Sequence, residues 1–467
     1  MKKLLLILVP LTMFAQVEVD TIIHLPMGLR QGAYLQDLNK LYLGNRAMDQ
    51  YLVLDCSTYR LKAQIPVEGA GFYRYSYNWR RQKLYVTFAY AHDSTLVIDA
   101  AGDSILRWLD VYREFHTDAY LSDLDVRFKP AVDTLYEYEC DADTIVHRWP
   151  IHCTDVSWDS VDHKLYVGQG SDAKLYVYDY LADSCLKVID VGAINTRMPD
   201  ACMFNYGYHR AYVSHWHMDL GAQEVGIIDT GRDTLVRVLP VNAEYGLFSH
   251  VAVDERDGKA YISDRYDTMW VVDCATDSVL KKFSCTEGGE MGLCIRWVPW
   301  SNRIYLNYAL EMESYLAIID CNTDSVIRRM YSGKCYDIQL DPVRQRIFLI
   351  GAPDTNSITV LRDTGYEAVT EPKPAAPRPM TGLQVQMTPG GYEVSYSVAS
   401  PCRVDLSVYD LTGREVKRLV AEKQAAGQHS VVWNCHDRND SPAARGVYFI
   451  RLDTQGFSDV KKAVVTR

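Results

Sequence analysis

The sequence predicts an all-β protein: a multi-bladed β-propeller followed by a small β-sandwich. Three observations predict it. A strand signature of one basic residue and a central aromatic recurs along the first three quarters of the chain; a tight Asp-Ser or Asp-Thr turn recurs in step with it; and a Pro-rich break at 367–382 separates this pattern from a different one.

The strand signature reads Lys40-Leu-Tyr-Leu, Lys83-Leu-Tyr-Val, Lys164-Leu-Tyr-Val, Arg210-Ala-Tyr-Val, Lys259-Ala-Tyr-Ile, Arg303-Ile-Tyr-Leu and Arg346-Ile-Phe-Leu. Successive starts lie 43, 81, 46, 49, 44 and 43 residues apart, so the 81 holds one degenerate copy. Leu135-Tyr-Glu-Tyr-Glu-Cys fills its place, which makes eight units. Runs of β-branched and aromatic residues bounded by polar turns are strands. Each unit reads as four of them, a to d, the strand content of one propeller blade.

The turn between strands c and d carries Asp103-Ser104, Asp143-Thr144, Asp183-Ser184, Asp233-Thr234, Asp277-Ser278 and Asp324-Ser325. Asp and hydroxyl side chains bond the backbone of their own turn, so these are expected to be structural. The same signature stands alone at Asp20-Thr21, ahead of the first complete unit, while the last unit has only a weak fourth strand at Tyr366–Val369. Residues 19–26 are therefore expected to complete the last blade and close the ring, since closure removes aggregation-prone edges.

Taken together, Lys-Leu-Tyr-Val, Val-Ile-Asp and Thr-Asp-Ser-Val resemble the YVTN-type β-propeller repeats of exported bacterial proteins, over about Val17 to Thr364. Members of that family commonly have seven blades, which makes seven the alternative to the eight units counted; the propeller is placed at 17–366.

The Pro-rich stretch 367–382 favours extended chain and cannot enter a sheet interior, so it reads as a linker. Alternation returns in Tyr392–Val398, Val404–Tyr409, Ser430–Trp433 and Val447–Leu452, the pattern of a small sandwich over 383–467. Val408-Tyr409-Asp410, Gly413, Gly427, Trp433, Asp437 and Gly446-Val447-Tyr448-Phe449 resemble the FlgD-type Ig-like domain and the C-terminal sorting domains of type IX secretion substrates. Cys435 and Ser441-Pro442 stand where that pattern often has Gly.

Lys2 and Lys3, the apolar run Leu4–Ala15 and the small residue at its end have the form of a secretory signal peptide, residues 1–15. The run is too short to span a bilayer, so an extracytoplasmic protein, secreted or at the cell surface and without a transmembrane anchor, is expected. With 49 basic and 60 acidic residues and a net charge of −11, the chain lacks the cationic surface that nucleic acid requires. Of twelve cysteines, Cys56, Cys140, Cys274 and Cys321 fill one slot in four units, too far apart to bridge one another. They read as small buried residues; whether the other cysteines pair is open.

No compact catalytic motif is present. Propeller sites assemble from several blades, and in this topology the d–a and b–c loops share one face. Counting back from each strand b places Asp155, Asp200, His250 and Asp337 at the mouth of the central channel on that face, with Asp118 in the degenerate unit and Gly32, Gly71 and Gly292 in the rest. Above them a long b–c loop carries His215, Trp216 and His217, and another carries His92 and Asp93. Two His at i and i+2 of an extended chain face one way, the geometry of a metal pair, so a divalent cation or other ligand is one reading of this mouth. Capping of loop backbone by the Asp residues is the other.

The functional expectation is an exported, non-catalytic binding or scaffold protein whose propeller face meets a protein or glycan at the cell surface. Its C-terminal domain would serve secretion or attachment, through the secretion machinery. The alternative is an extracytoplasmic enzyme, hydrolase or oxidoreductase, working at the channel mouth.

Overall fold

The computed structural model describes residues 17–44, 50–67, 72–88, 94–110, 119–121, 125–131, 134–151, 153, 155–169, 174–180, 184–191, 203–217, 222–241, 251–264, 267–287, 290–310, 313–365, 383–388, 391–398, 402–410, 414–424, 427–439, 441–454 and 457–465. The chain forms two compact units, Met1–Ala368 and Val369–Arg467.

Eight four-stranded antiparallel sheets make up the first unit among the described residues. Blade 1 is Gln31–Leu35, Lys40–Gly44, Gln50–Asp55 and Arg60–Pro66; blade 2 is Phe72–Asn78, Lys83–Phe88, Ser94–Asp99 and Ser104–Asp110. Blade 3 is Ala119–Leu121, Val126–Ala131, Thr134–Glu139 and Thr144–Trp149; blade 4 is Asp155–Asp159, Lys164–Gln169, Lys174–Asp179 and Ser184–Asp190. Met203–Asn205, Arg210–His217, Ala222–Asp229 and Thr234–Leu239 form blade 5, and Val251–Asp254, Lys259–Ser263, Thr268–Asp273 and Val279–Ser284 form blade 6. Blade 7 is Glu290–Val298, Arg303–Leu310, Glu313–Asp320 and Ser325–Gly333. Blade 8 takes Asp337–Asp341, Arg346–Ile350 and Ser357–Asp363 from one end of the unit and Val17–His24 from the other. The first strands of blades 8 and 1 pack together, which closes an eight-bladed ring.

The closing strand runs from Val17 to His24, two residues earlier than the sequence placed it, and pairs antiparallel with Ser357–Asp363. The weak alternative at Tyr366–Val369 lies outside the described residues.

Regularity in the repeat comes from backbone geometry as much as from apolar pattern. The residue before each strand b is left-handed: Asn39, Gln82, Asp125, His163, His209, Gly258, Asn302 and Gln345 all have φ between 50° and 65°. That conformation makes the a–b turn tight enough for its carbonyl to receive the first N–H of the c–d turn, as in Cys56 N–H to Asn39 O (3.1 Å) and Cys321 N–H to Asn302 O (3.1 Å). The slot read as small and buried is so: Cys56, Cys140, Cys274 and Cys321 are at most 1% exposed, and all four are free thiols.

The c–d Asp residues do something the sequence reading missed. The acid that bonds its own turn is the one at the end of strand c, for example Asp55 Oδ1 to the N–H groups of Ser57 and Thr58 (both 2.9 Å). The later, left-handed Asp instead reaches the basic residue and Tyr of the preceding blade's strand b. Lys40 Nζ (2.7 Å) and Tyr42 Oη (2.5 Å) both donate to Asp103. Lys83 and Tyr85 hold Asp143, Lys164 and Tyr166 hold Asp233, Arg210 holds Asp277, and Lys259 and Tyr261 hold Asp324. Blade 7 uses Asp363, at the end of its neighbour's strand c, for Arg303 and Tyr305. A carboxylate buried between blades is tolerable because cation and phenol arrive together.

Every outer strand carries a β-bulge. The extra residue is Leu106, Val146, Leu186, Val236, Leu280 or Ile327 in blades 2 to 7, each 40–53% exposed, and Lys62 or Asp20 in blades 1 and 8. Bulges bend an edge away from further pairing, so they protect the eight outer edges from adding another strand.

One buried acid lacks the usual compensation. Asp254, at the end of strand a in blade 6, is fully buried; Oδ1 accepts from the N–H groups of Arg256 (3.0 Å) and Asp257 (3.1 Å), while Oδ2 has no hydrogen-bond partner. Burial pushes its pKa up to about 6 against the two backbone bonds that lower it. The fold thus favours the protonated form, so the associated stability is present below pH ~4 and is lost as pH rises through ~6. Asp254→Asn keeps the acceptor and removes the charge. It should stabilise the protein by about 2–3 kcal/mol at pH 7.5 and by almost nothing at pH 4, which urea unfolding at the two pH values would measure.

The second unit is a sandwich. Gln384–Thr388, Gly391–Val398 and Gly427–Trp433 form one sheet; Glu415–Gln424, Cys402–Asp410, Gly446–Thr454 and Phe457–Val465 form the other. Trp433 is fully buried between Tyr392 and Tyr448, with its Nε1 donating to His436 O (2.9 Å). Cys435, where the resembling family often has Gly, is left-handed at φ 58°, which explains the usual glycine.

Candidate functional site

The b–c and d–a connections share one face, because strands a and c start there and strands b and d end there. Of the residues the sequence placed at that mouth, Asp337 is described in full. Asp155 has a described backbone, whereas its side chain and those of His215, Trp216 and His217 lie outside the described residues; so do Asp200 and His250 altogether. Register brings Asp155 and Asp337 into equivalent places: Asp155 pairs with Gly168 and Asp337 with Ile350, each the fifth residue of strand b. Gly32 pairs with Leu43 and so sits one residue further along than the sequence count placed it. His215 and His217 alternate with Trp216 on strand b of blade 5, opposite Glu224 and Ala222.

The Asp337 carboxylate joins three blades. Its Oδ2 accepts from Gly32 N–H of blade 1 (3.1 Å) and from Gln339 Nε2 (2.9 Å). Its Oδ1 accepts from Ile338 N–H (2.8 Å) and lies 3.7 Å from Arg296 Nη2 and 3.8 Å from Cys294 Sγ, both of blade 7. A Cβ at Gly32 would meet Ile350 Cδ1 at 2.4 Å, so a larger residue there would require the buried Ile350 side chain to shift. The charge is answered by N–H donors and a guanidinium. This is how a carboxylate clamps neighbouring blades, and it leaves few lone pairs for a cation. Among the described residues, no three or more His, Cys, Asp or Glu side chains gather as a metal site.

The sequence reading overlooked blade 3. It found the degenerate unit by its strand c, and strand b reads Val126-Arg127-Phe128-Lys129 where the other blades alternate a basic residue, an aliphatic, an aromatic and an aliphatic. Both donors of the usual clamp toward blade 4 are therefore replaced, the basic residue by Val126 and the Tyr by Phe128, while the equivalent acid of blade 4, Asp183, lies outside the described residues. On the opposite face, two cations enter the junction with blade 2. Arg127, fully buried, lies over the rings of Tyr85 (4.5 Å) and Tyr138 (5.4 Å), and Lys129, 3% exposed, donates to Thr95 Oγ1 (2.6 Å). Stacking on two rings makes burial of a guanidinium feasible. Alignment of the eight left-handed a–b residues in steps of 38 to 49 would have exposed these substitutions.

A family model for the FlgD Ig-like domain matches residues 384–456, within the second unit. Among solved structures, the C-terminal WD40 domain of Sif2 is similar with a TM-score of 0.57 at 11% identity, over 74% of this chain and 98% of that one. At that identity the likeness is one of fold. No curated protein matches the chain.

Proposed function

We propose that the protein is an exported, non-catalytic binding or scaffold protein of the cell surface. The propeller presents a face to a protein or glycan partner, and the Ig-like domain serves secretion or attachment. The observation that supports this best is the use to which the acids are put. Asp103, Asp143, Asp233, Asp277, Asp324, Asp363 and Asp337 hold blades together, each with a basic or N–H partner, and rigid blades leave loop composition free to define a binding face. The YVTN-type resemblance supports an extracytoplasmic setting, and the likeness of the second unit to FlgD-type and type IX sorting domains supports delivery by secretion machinery. No helix among the described residues is long and apolar enough to cross a membrane.

Expression in the native host of the full chain and of a chain ending at Ala368 tests this reading. The shorter chain should fold, with the propeller's melting transition retained, yet disappear from the surface when intact cells are probed with protease. Surface display of the shorter chain at full level would overturn the attachment role.

A further inference from the structure

The outer corner of blades 1 and 2, on the face that carries the a–b and c–d turns, is unlike the rest of the rim. Strand d of blade 2 exposes Ile105 (38%), Leu106 (48%) and Trp108 (39%), and the a–b turn of the same blade exposes Trp79 (51%). Strand d of blade 1 adds Lys62 at its bulge. These groups adjoin. Lys62 Nζ lies 3.6 Å from Asp103, the residue before strand d of blade 2, and Ala100 N–H donates to Gln82 O (2.8 Å), which ties the c–d turn to the turn that carries Trp79. Trp108 breaks the repeat. It stands opposite Leu96, where the matching places of other blades hold polar or basic residues, such as Gln64, Arg148, Lys282 and Thr21, or valine.

Cations surround the rings. From Arg60 to Trp108 the chain has seven basic and four acidic residues, although the whole carries a net charge of −11. Arg60 and Arg80 are exposed and, among the described residues, in no ion pair; the Arg80 guanidinium lies 5.3 Å over the Trp79 ring. Lys62 and Arg107 are half-exposed, and the acids nearest to them, Asp103 and Asp143, are each already held by a Lys and a Tyr of the preceding blade. Arg81 does not belong to this set, since Asp125 and Asp141 take its guanidinium.

We propose that this corner docks the protein on an anionic lipid surface, with Trp79 and Trp108 among the headgroups and Arg60, Lys62, Arg80 and Arg107 against phosphates. Trp and basic side chains are the residues that favour the membrane–water interface, the ring resting at headgroup depth and the cation meeting negative charge. The outer edge of a closed ring is convex, and both outer strands here are bulged, so the corner offers side chains and neither a straight backbone edge nor an enclosed cleft. A headgroup layer conforms to such a surface. The contact lies away from the b–c and d–a connections and so goes beyond the binding role proposed above: one surface holds the ring against lipid, and the other face stays open to its partner.

The test is co-sedimentation of residues 16–467, which retain every described element and lack the apolar leader segment, with vesicles of phosphatidylcholine alone and with vesicles containing about 30% phosphatidylglycerol, at low ionic strength where surface charge is least screened. The anionic vesicles should bind saturably, and at least about tenfold more tightly than phosphatidylcholine alone. Arg60→Gln combined with Arg80→Gln should weaken binding about 30-fold, roughly fivefold for each cation. Trp79→Ser combined with Trp108→Ser should weaken it about tenfold or more and remove the quenching of tryptophan fluorescence by brominated lipid. All four side chains are exposed, so both variants should melt with the wild type. No binding of the wild type to anionic vesicles would overturn the proposal, and so would binding that both double variants retain. A wild type that ignores vesicles but self-associates through the same residues, seen by light scattering, would make the corner a contact between copies and overturn it as well.

Discussion

A chain lacking Val17–Leu25 is expected to lose roughly 5–8 kcal/mol of stability and to aggregate. The estimate comes from burial: Val17, Ile23 and Leu25 are each under 10% exposed, and each aliphatic side chain withdrawn from water is worth about 1.5–3 kcal/mol. Polar losses add to it. Asp20 accepts from Arg346 (2.8 Å), Arg362 (3.2 Å) and Tyr59 (3.3 Å), and Arg328 donates to the carbonyl of Val17. The larger consequence is topological, because Ser357–Asp363 would become a straight unprotected edge beside an open ring. Light scattering and a thermal melt measure both effects; a truncated chain that stays monomeric with an unchanged melting temperature would falsify closure by this strand.

Asp363→Ala is expected to cost about 3–5 kcal/mol, more than the same change at any other clamp. Arg303 and Asp363 have no exposed side-chain surface, against 16% and 17% for Lys259 and Asp324. Asp363 takes Arg303 Nη1 at 2.5 Å, Tyr305 Oη at 2.7 Å and the N–H of Gly365 at 3.0 Å. Removing it strands a guanidinium where water cannot reach, whereas Asp324→Ala leaves an ammonium that water can approach and should cost about 1–2 kcal/mol. Urea midpoints at constant slope separate the two. Asp363→Ala combined with Arg303→Met should recover much of the loss, since the buried charge leaves with its partner.

Much of the fold was legible because strand period, turn residues and repeat length agree. Lys40-Leu41-Tyr42-Leu43 and its copies announce their own strands, and the isolated Asp20-Thr21 announces a strand without a blade. What the clamps do was not legible. Asp103 stands 63 residues from Lys40 and in contact with it, while its sequence neighbourhood offers an equally sound bond to its own turn. Spacing alone does not choose between them; blade packing does. Asp337 was placed correctly on strand a by counting, yet its partners Gly32 and Arg296 come from two other blades. Arg127 and Lys129 were hidden for a different reason, since the repeat was recognised in blade 3 by what resembled the pattern rather than by what broke it.

The two-piece blade has a mechanical meaning. Val17 faces Asp363 and His24 faces Ser357, so the entry and exit of the ring stand at the same end of one strand pair. Tension applied between those two points would open the pair as a zipper, one residue at a time, the softest way to load a sheet. Tension entering through the C-terminal side alone is different, because Ser357–Asp363 is flanked by Arg346–Ile350 on one side and Val17–His24 on the other. A ring tethered at that side and held by its partner at a distant blade spreads the pull over both ladders, and its seam stays shut.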